Sequence, residues 1–193
     1  LAWRNAGLWR HPHLPAIVGG QTRLALPGVQ ANDAIHVGWG RKPSGLRARR
    51  RAERQGQTCW LLEDGFLRSC GLPASGAPAC SLVVDDLGIY YDANCPSRLE
   101  TLIAAGKMDR ALTRQTQSAL DLVRRHRLSK YNHEGTDLPP GWDANPPRGV
   151  RRVLVADQAA GDLSVLLGGA GHGTFAAMVA AAFAQQGQGG AGR

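Results

Sequence analysis

Carboxylates stand at three places where an apolar run stops. "TCWLLEDG" (58–65) ends in Glu63 and Asp64, and "CSLVVDD" (80–86) ends in Asp85 and Asp86. "VRRVLVADQ" (150–158) ends in Asp157 and Gln158, with Asp162 following directly behind Gly161. A carboxylate can attack an electrophilic carbon, trade a proton, or hold a hard cation such as Mg²⁺ or Ca²⁺. No EF-hand or other dedicated spacing accompanies these acids, so direct catalysis is the expected chemistry and no metal site is expected. Asp and Gly are also ordinary turn formers, and any one of these motifs reads equally as a capped loop. Three together, each followed within a few residues by glycine, point to a common place, because ligands of open α/β sheets gather at the carboxyl ends of strands.

Other groups suit an anionic ligand. Arg68, just after the Glu-Asp-Gly turn, could pair with the acids or fork onto a sugar carboxylate. The loop "GGAGHG" (168–173) precedes a helix, so amides at Gly168, Gly169, Gly171 and Gly173 could cradle a phosphate; a flexible linker has the same composition. Tyr90, Tyr91 and Asp92 read as cleft residues or as core beside a loop. The formal charge is +8, and Arg41, Lys42, Arg47, Arg49, Arg50, Arg51 and Arg54 crowd one stretch against Glu53 alone. Such a cluster suits an anionic partner, or is simply a solvated helix face. Aromatic residues do not interleave these arginines as a base-stacking surface requires, so nucleic acid is not the expected partner. Cys59, Cys70, Cys80 and Cys95 form no C-x-x-C pair, which argues against zinc and for free thiols in a reducing cytoplasm.

The elements that must position these groups alternate between short apolar runs and helical segments. That pattern predicts an α/β protein with a Rossmann-like, largely parallel sheet. Strands are expected at 34–40, 58–65, from 80 to the break at Asp85-Asp86, and at 150–156. Helices are expected at 45–56, 96–106 and 108–128, the last with Leu112, Ala119, Leu120 and Val123 along one side, and from about Thr174. Pro96 near the start and Gly106 at the end give 96–106 the usual asymmetry. "NHEGTDLPPGWDANPPRG" (132–149) has linker composition. Residues 1–131 therefore read as one domain, 132–149 as a linker, and 150–193 as the incomplete start of a second domain. The absence of a starting Met suggests a fragment. No apolar run approaches the length of a membrane span, and the N-terminus lacks a signal-peptide pattern.

"WGRKPS" (39–44), "LEDGFLRS" (62–69), "SLVVDDLGIYYDA" (81–93), "PSRLE" (96–100), "LSKYN" (128–132) and "VLVADQAAGDLSV" (153–165) occur in this order. Together with "GLWRHPHL" (7–14), they resemble the successive motifs of the capsule polysaccharide β-Kdo transferases, the KpsC/LipA family. The resemblance runs from about Gly7 to Phe183. It implies a retaining glycosyltransferase of the two-domain GT-B type, with residues 1–131 on the acceptor side and a truncated CMP-sugar donor domain. Such an enzyme moves 3-deoxy-D-manno-oct-2-ulosonic acid (Kdo) from CMP-Kdo to a lipid-linked glycan acceptor in capsule synthesis. The resemblance gives Asp162 the nucleophile's position. Glu63 or Asp64 would then activate the acceptor hydroxyl, with the choice between them open. Gln158, Asp157, Arg68, Asp86, Tyr91 and Lys130 are carried as substrate-binding candidates, and Gly168, Gly169, Gly171 and Gly173 as the donor phosphate loop. No cofactor is expected beyond the donor substrate. The expected surroundings are the cytoplasmic face of the inner membrane, an anionic lipid surface and other capsule assembly proteins. The His-Pro pair at 11–12 lies at the wrong end of the chain to hold a CMP-sugar, and no such role is transferred to it.

Two other readings compete. A catalytically incompetent fragment, or a basic module resting on anionic lipid, would share the arginine cluster without the chemistry. A Rossmann dehydrogenase is disfavoured, since no G-x-G-x-x-G follows an early strand.

Overall fold

The computed structural model describes residues 2–3, 8, 13–24, 33–133, 152–159 and 161–188. The chain divides into two compact units, Leu1–Glu134 and Gly135–Arg193.

The first unit is built on a five-stranded sheet in the order β2-β1-β3-β4-β5. The strands are β1 (Ala2–Trp3), β2 (Arg23–Leu24), β3 (His36–Trp39), β4 (Cys59–Asp64) and β5 (Leu82–Asp85). Helix α1 (Leu14–Val18) precedes β2, and α2 (Pro43–Gln55) joins β3 to β4. A helical crossover of this kind is what parallel strands need, and β3 and β4 are parallel, as are β1 with β2 and β1 with β3. Pro43 sits in the first turn of α2 and Gly56 closes it at φ 60°. Gly38 and Gly45 let helix and strand touch: a Cβ on Gly38 would lie 2.5 Å from Gly45 Cα. Leu8, Leu14, Val37 and Leu62 form the core, with Ile35, Trp39, Trp60, Leu82 and Val84 packed against it.

β5 departs from the expected parallel sheet. It runs antiparallel to β4, pairing Leu61 with Asp85 and Asp64 with Leu82. The β4–β5 connection carries only a short 3₁₀ turn at Pro73–Ser75 in place of a crossover helix, so the chain returns beside the strand it has just left.

After β5 come α3 (Arg98–Ala105) and α4 (Arg110–Arg125). Ser97 caps α3 in a capping box with Glu100, and Gly106 ends it at φ 56°. Asp109 caps α4, accepting from Leu112 N at 2.7 Å.

The second unit contains α5 (Leu163–Leu167) and α6 (Thr174–Gln188). The strand expected at 150–156 is absent over its described residues, 152–156, and Leu154 is 86% exposed. An apolar run becomes a strand only when a neighbour takes its backbone hydrogen bonds, and the other described residues of this unit supply helices and turns. Most of the expected linker, the tail after Gln188 and much of the opening segment lie outside the described residues. Among the described residues no helix is long and apolar enough to cross a membrane.

Candidate active site

The carboxyl ends of β3 and β4 bring several of the sequence motifs into polar contact. Side chains alternate along a strand, so Glu63 and Asp64 face opposite ways and meet different partners. Glu63 Oε1 accepts from Trp39 Nε1 at 3.0 Å and from Asp64 N at 3.1 Å. Burial is the main cause that pushes the Glu63 carboxyl above its ordinary pKa, with the neighbouring Asp64 charge adding to it. The backbone bond from Asp64, Lys42 and Trp39 oppose that rise. Tyr91 closes the same corner. Its hydroxyl accepts from Arg41 N at 3.0 Å and hydrogen-bonds to Glu63, and burial pushes its pKa up to about 12. The close approach works because residue 40 is glycine at φ 36°: a Cβ there would collide with the Tyr91 hydroxyl.

Asp92, the residue after Tyr91, is buried and lies 2.7 Å from Arg41 Nε. Burial works against its charge, yet the Asn94 hydrogen bonds and the Arg41 charge outweigh it and hold the carboxyl below its ordinary value.

Asp64 instead meets Arg68, with Oδ1 2.8 Å from Nε. That pair is an ion contact without hydrogen-bond alignment, as is Arg41–Asp92. Arg68 Nη1 also donates to Ser69 Oγ and Ala77 O, at 3.1 and 3.0 Å. Of the two roles open to Arg68, pairing within the fold is the one observed. Lys130 acts through its backbone, its carbonyl accepting from Arg68 N at 2.8 Å and Ser69 N at 3.3 Å. Its ammonium sits 5.5 Å from the centre of the Tyr131 ring.

The expected convergence of acidic strand ends fails for Asp85 and Asp86. Because β5 is antiparallel, it delivers them beside Leu61, toward the start of β4 and away from Glu63. Asp85 is buried and accepts from Leu87 N, Gly88 N and Arg98 N, each at 2.9 Å. Asp86 forms a bidentate pair with Arg98, both contacts at 2.7 Å, which holds its carboxyl below the ordinary value. Both acids line a separate cleft of about 380 Å³ with Arg49, Glu53 and Cys59. Among the described residues, no group of three His, Cys, Asp or Glu is arranged to hold a metal ion.

In the second unit, Asp162 is exposed at the N-terminus of α5, its Oδ1 accepting from Ser164 N at 2.9 Å. Asp157 and Gln158 are exposed as well, with Asp157 Oδ1 2.7 Å from the amide of Gln158. In the glycine loop, the amides of Gly168, Gly169 and Gly171 are spent on Ser164 O, Leu166 O and Thr174 Oγ1. Those three are therefore not presented to a ligand in this arrangement, and Gly173 stands directly before α6.

Sequence reasoning passed over Trp39 and Arg41 as site residues. The signal was available in "WGRKPS": an indole N–H at a strand end needs an acceptor, and the strand end beside it carries Glu63.

Fold and site together define an α/β protein with a partly desolvated carboxylate at the end of a strand that runs parallel to its neighbour β3. Residues 33–140 match the family model described as capsule polysaccharide biosynthesis protein, and the chain belongs to that family. The capsule polysaccharide modification protein LipA of Neisseria meningitidis serogroup B is 41% identical over 175 residues, which are 90% of this chain and 24% of LipA. The chain thus spans about a quarter of the length of that curated relative. The solved structure of Thermosulfurimonas dismutans KpsC, a β-Kdo 2,4 transferase, superposes with a TM-score of 0.83 at 38% identity, covering 96% of this chain and 57% of that one. The β-Kdo 2,7 transferase KpsC of the same organism shares the fold, at a TM-score of 0.57 and 24% identity.

Proposed function

We propose that this chain is a module of a retaining, GT-B-type β-Kdo transferase of capsule synthesis. It uses CMP-Kdo as donor and a lipid-linked glycan as acceptor, at the cytoplasmic face of the inner membrane. The observation that carries the reading is Glu63, a half-buried carboxylate with a raised pKa, aligned by Trp39 and Tyr91 at the end of β4, in a chain so similar to a solved β-Kdo transferase. In the first step a carboxylate oxygen of Asp162 bonds to C2 of Kdo, and the bond from C2 to the phosphate oxygen breaks with its electron pair leaving on CMP. In the second, a base takes the proton of an acceptor hydroxyl, a role that the raised pKa of Glu63 suits. That oxygen then attacks C2 and releases Asp162 as a carboxylate. Two inversions give net retention. Asp64, committed to Arg68, is the weaker candidate for the base.

Exposure at a helix N-cap suits Asp162 for attack, since capping engages one of its oxygens while the carboxylate remains accessible. Gly173 and the first amides of α6 are the groups of the loop best suited to the donor phosphate. Gln158, Asp157 and Lys130 remain donor or acceptor contacts to be tested.

The test is CMP-Kdo turnover with an acceptor glycan, joined to mass spectrometry of the Asp162 peptide. Asp162→Asn and Asp162→Ala are expected to abolish transfer, and the wild-type peptide is expected to carry a Kdo adduct. Undiminished transfer by the Asn variant would remove the nucleophile from this mechanism.

A further inference from the structure

We infer that α3 and α4 form a membrane-docking surface for anionic phospholipid. Every residue from 101 to 122 is exposed, its apolar side chains included. On α4, Leu112, Ala119 and Val123 define one side, flanked by Leu120 and Leu122, with Leu112, Leu120 and Leu122 exposed to 43, 42 and 51%. On α3, Leu102 and Ile103 are exposed to 62 and 70%. At 100° per residue, the opposite side of α4 gathers Arg110, Arg114, Arg124 and Arg125 against the single acid Asp121.

This pattern selects its occupant. An amphipathic helix with a leucine side, broken here by Gln115 and Thr116, a cationic opposite side and arginines at both ends lies in a bilayer interface, its leucines among the acyl chains and its arginines reaching the phosphates. The one-sided charge calls for an anionic partner. The arginine-dense α2 is a poorer candidate despite its composition. It buries Gly45 and Ala52 against the sheet and, Pro43 apart, its fully exposed residues are charged or polar, so it can attract lipid without inserting.

The inference deepens the transferase reading by naming the surface on which a lipid-linked acceptor would be met, yet its test needs no catalysis. The 193-residue chain is pelleted with vesicles of phosphatidylglycerol and phosphatidylethanolamine, or of phosphatidylcholine alone. Binding is expected to the first and not the second, and to fall at about 1 M salt, where the screening length shrinks to ~3 Å. Arg110→Gln and Arg114→Gln should each lower partitioning about fivefold. Leu112→Glu with Leu120→Glu should abolish it, and the paired Ala variants should weaken it. Far-UV circular dichroism checks that these variants fold, which the exposure of both leucines favours. Arg47→Gln with Arg50→Gln on α2 should leave binding within about twofold, since charge without insertion adds little. The inference is overturned by equal binding to both vesicle types. It is also overturned by folded leucine variants that still bind, or by an α2 pair as damaging as the α4 pair. A light-scattering mass above the monomer that the leucine variants reduce would mean a second copy covers this face. Loss of transfer by an Asp162 variant that still pellets with vesicles separates the two readings.

Discussion

Glu63 and Asp64 are consecutive carboxylates with opposite surroundings, and their variants should fail in different ways. Glu63 has lost water and gained an indole N–H, so its protonated form is favoured in the fold. A carboxyl whose folded pKa exceeds its unfolded value stabilises the protein fully below the unfolded value. That contribution is lost as pH rises through the folded value. Ionised Glu63 is therefore a cost at about pH 7, and Glu63→Gln, which keeps an oxygen for Trp39, should melt at the same or a higher temperature there. At about pH 4 the difference should vanish, because the wild-type group is then protonated too. In the transfer assay the same variant should lose about 10²–10⁴ in rate, and the acid limb of the wild-type profile should lie above that of an ordinary glutamate. Asp64→Asn reverses the pattern: it leaves the Arg68 guanidinium without its charge partner, so the melt falls. The pH limb moves only slightly downward, because burial and not the Asp64 charge is the main cause of the raised Glu63 pKa. A Glu63→Gln variant that melts lower at neutral pH, with its activity intact, would reduce Glu63 to a structural acceptor.

At the scale of elements, "LSKYN" acquires a physical role that its composition did not disclose. Backbone carbonyls of Lys130 and Tyr131 accept from Arg68, Ser69 and Gly71, strapping the loop that follows the Glu-Asp-Gly turn. Asn132 locks the strap. It sits at φ 50°, accepts from Ser129 N at 2.9 Å and donates to Ser69 O at 3.2 Å. Asn132→Ala removes both side-chain bonds and leaves a left-handed backbone without the residue type that tolerates it, an expected loss of about 2 kcal/mol in urea unfolding. Asn132→Gly, free of the backbone strain, should recover part of that loss; if both variants melt like wild type, the strap is incidental. Such long-range links are why legibility was uneven. α2, α3, α4, β3 and β4 were readable because periodicity and glycine stops are local. The direction of β5 was not, because "SLVVDD" has the same pattern parallel or antiparallel and the deciding feature is a missing crossover helix. The acids that an all-parallel sheet would have brought to one edge were thereby misplaced. Val153-Leu154-Val155 read as a strand for the converse reason, since an apolar run carries no information about whether a partner strand lies beside it.

For the molecule as a whole, burial is divided unequally. Leu8, Leu14, Val37, Leu62 and Ile89 are almost wholly buried in the first unit, and the buried Asp85, Asp92 and Ser97 there all have polar partners. In the second unit, none of the residues whose burial is described is fully buried, and Leu154 and Phe183 stand 86 and 70% exposed. Apolar burial is the main term opposing chain entropy, about 25 cal/mol for each Å² removed from water, so the stability of this chain resides in the first unit. A chain of residues 1–134 should therefore unfold cooperatively within a few degrees of the full chain, whereas residues 135–193 alone should show no cooperative transition. Differential scanning calorimetry of the three chains measures this directly. A sharp endotherm from 135–193, or loss of the endotherm from 1–134, would move the stabilising core to where the burial pattern does not put it. Asp162 lies on the unit with little burial and Glu63 on the one with the core. The same experiment with CMP-Kdo present therefore bears on mechanism: a ligand held by Asp162 and the glycine loop leaves the endotherm of 1–134 unchanged and gives residues 135–193 a transition they lack without it.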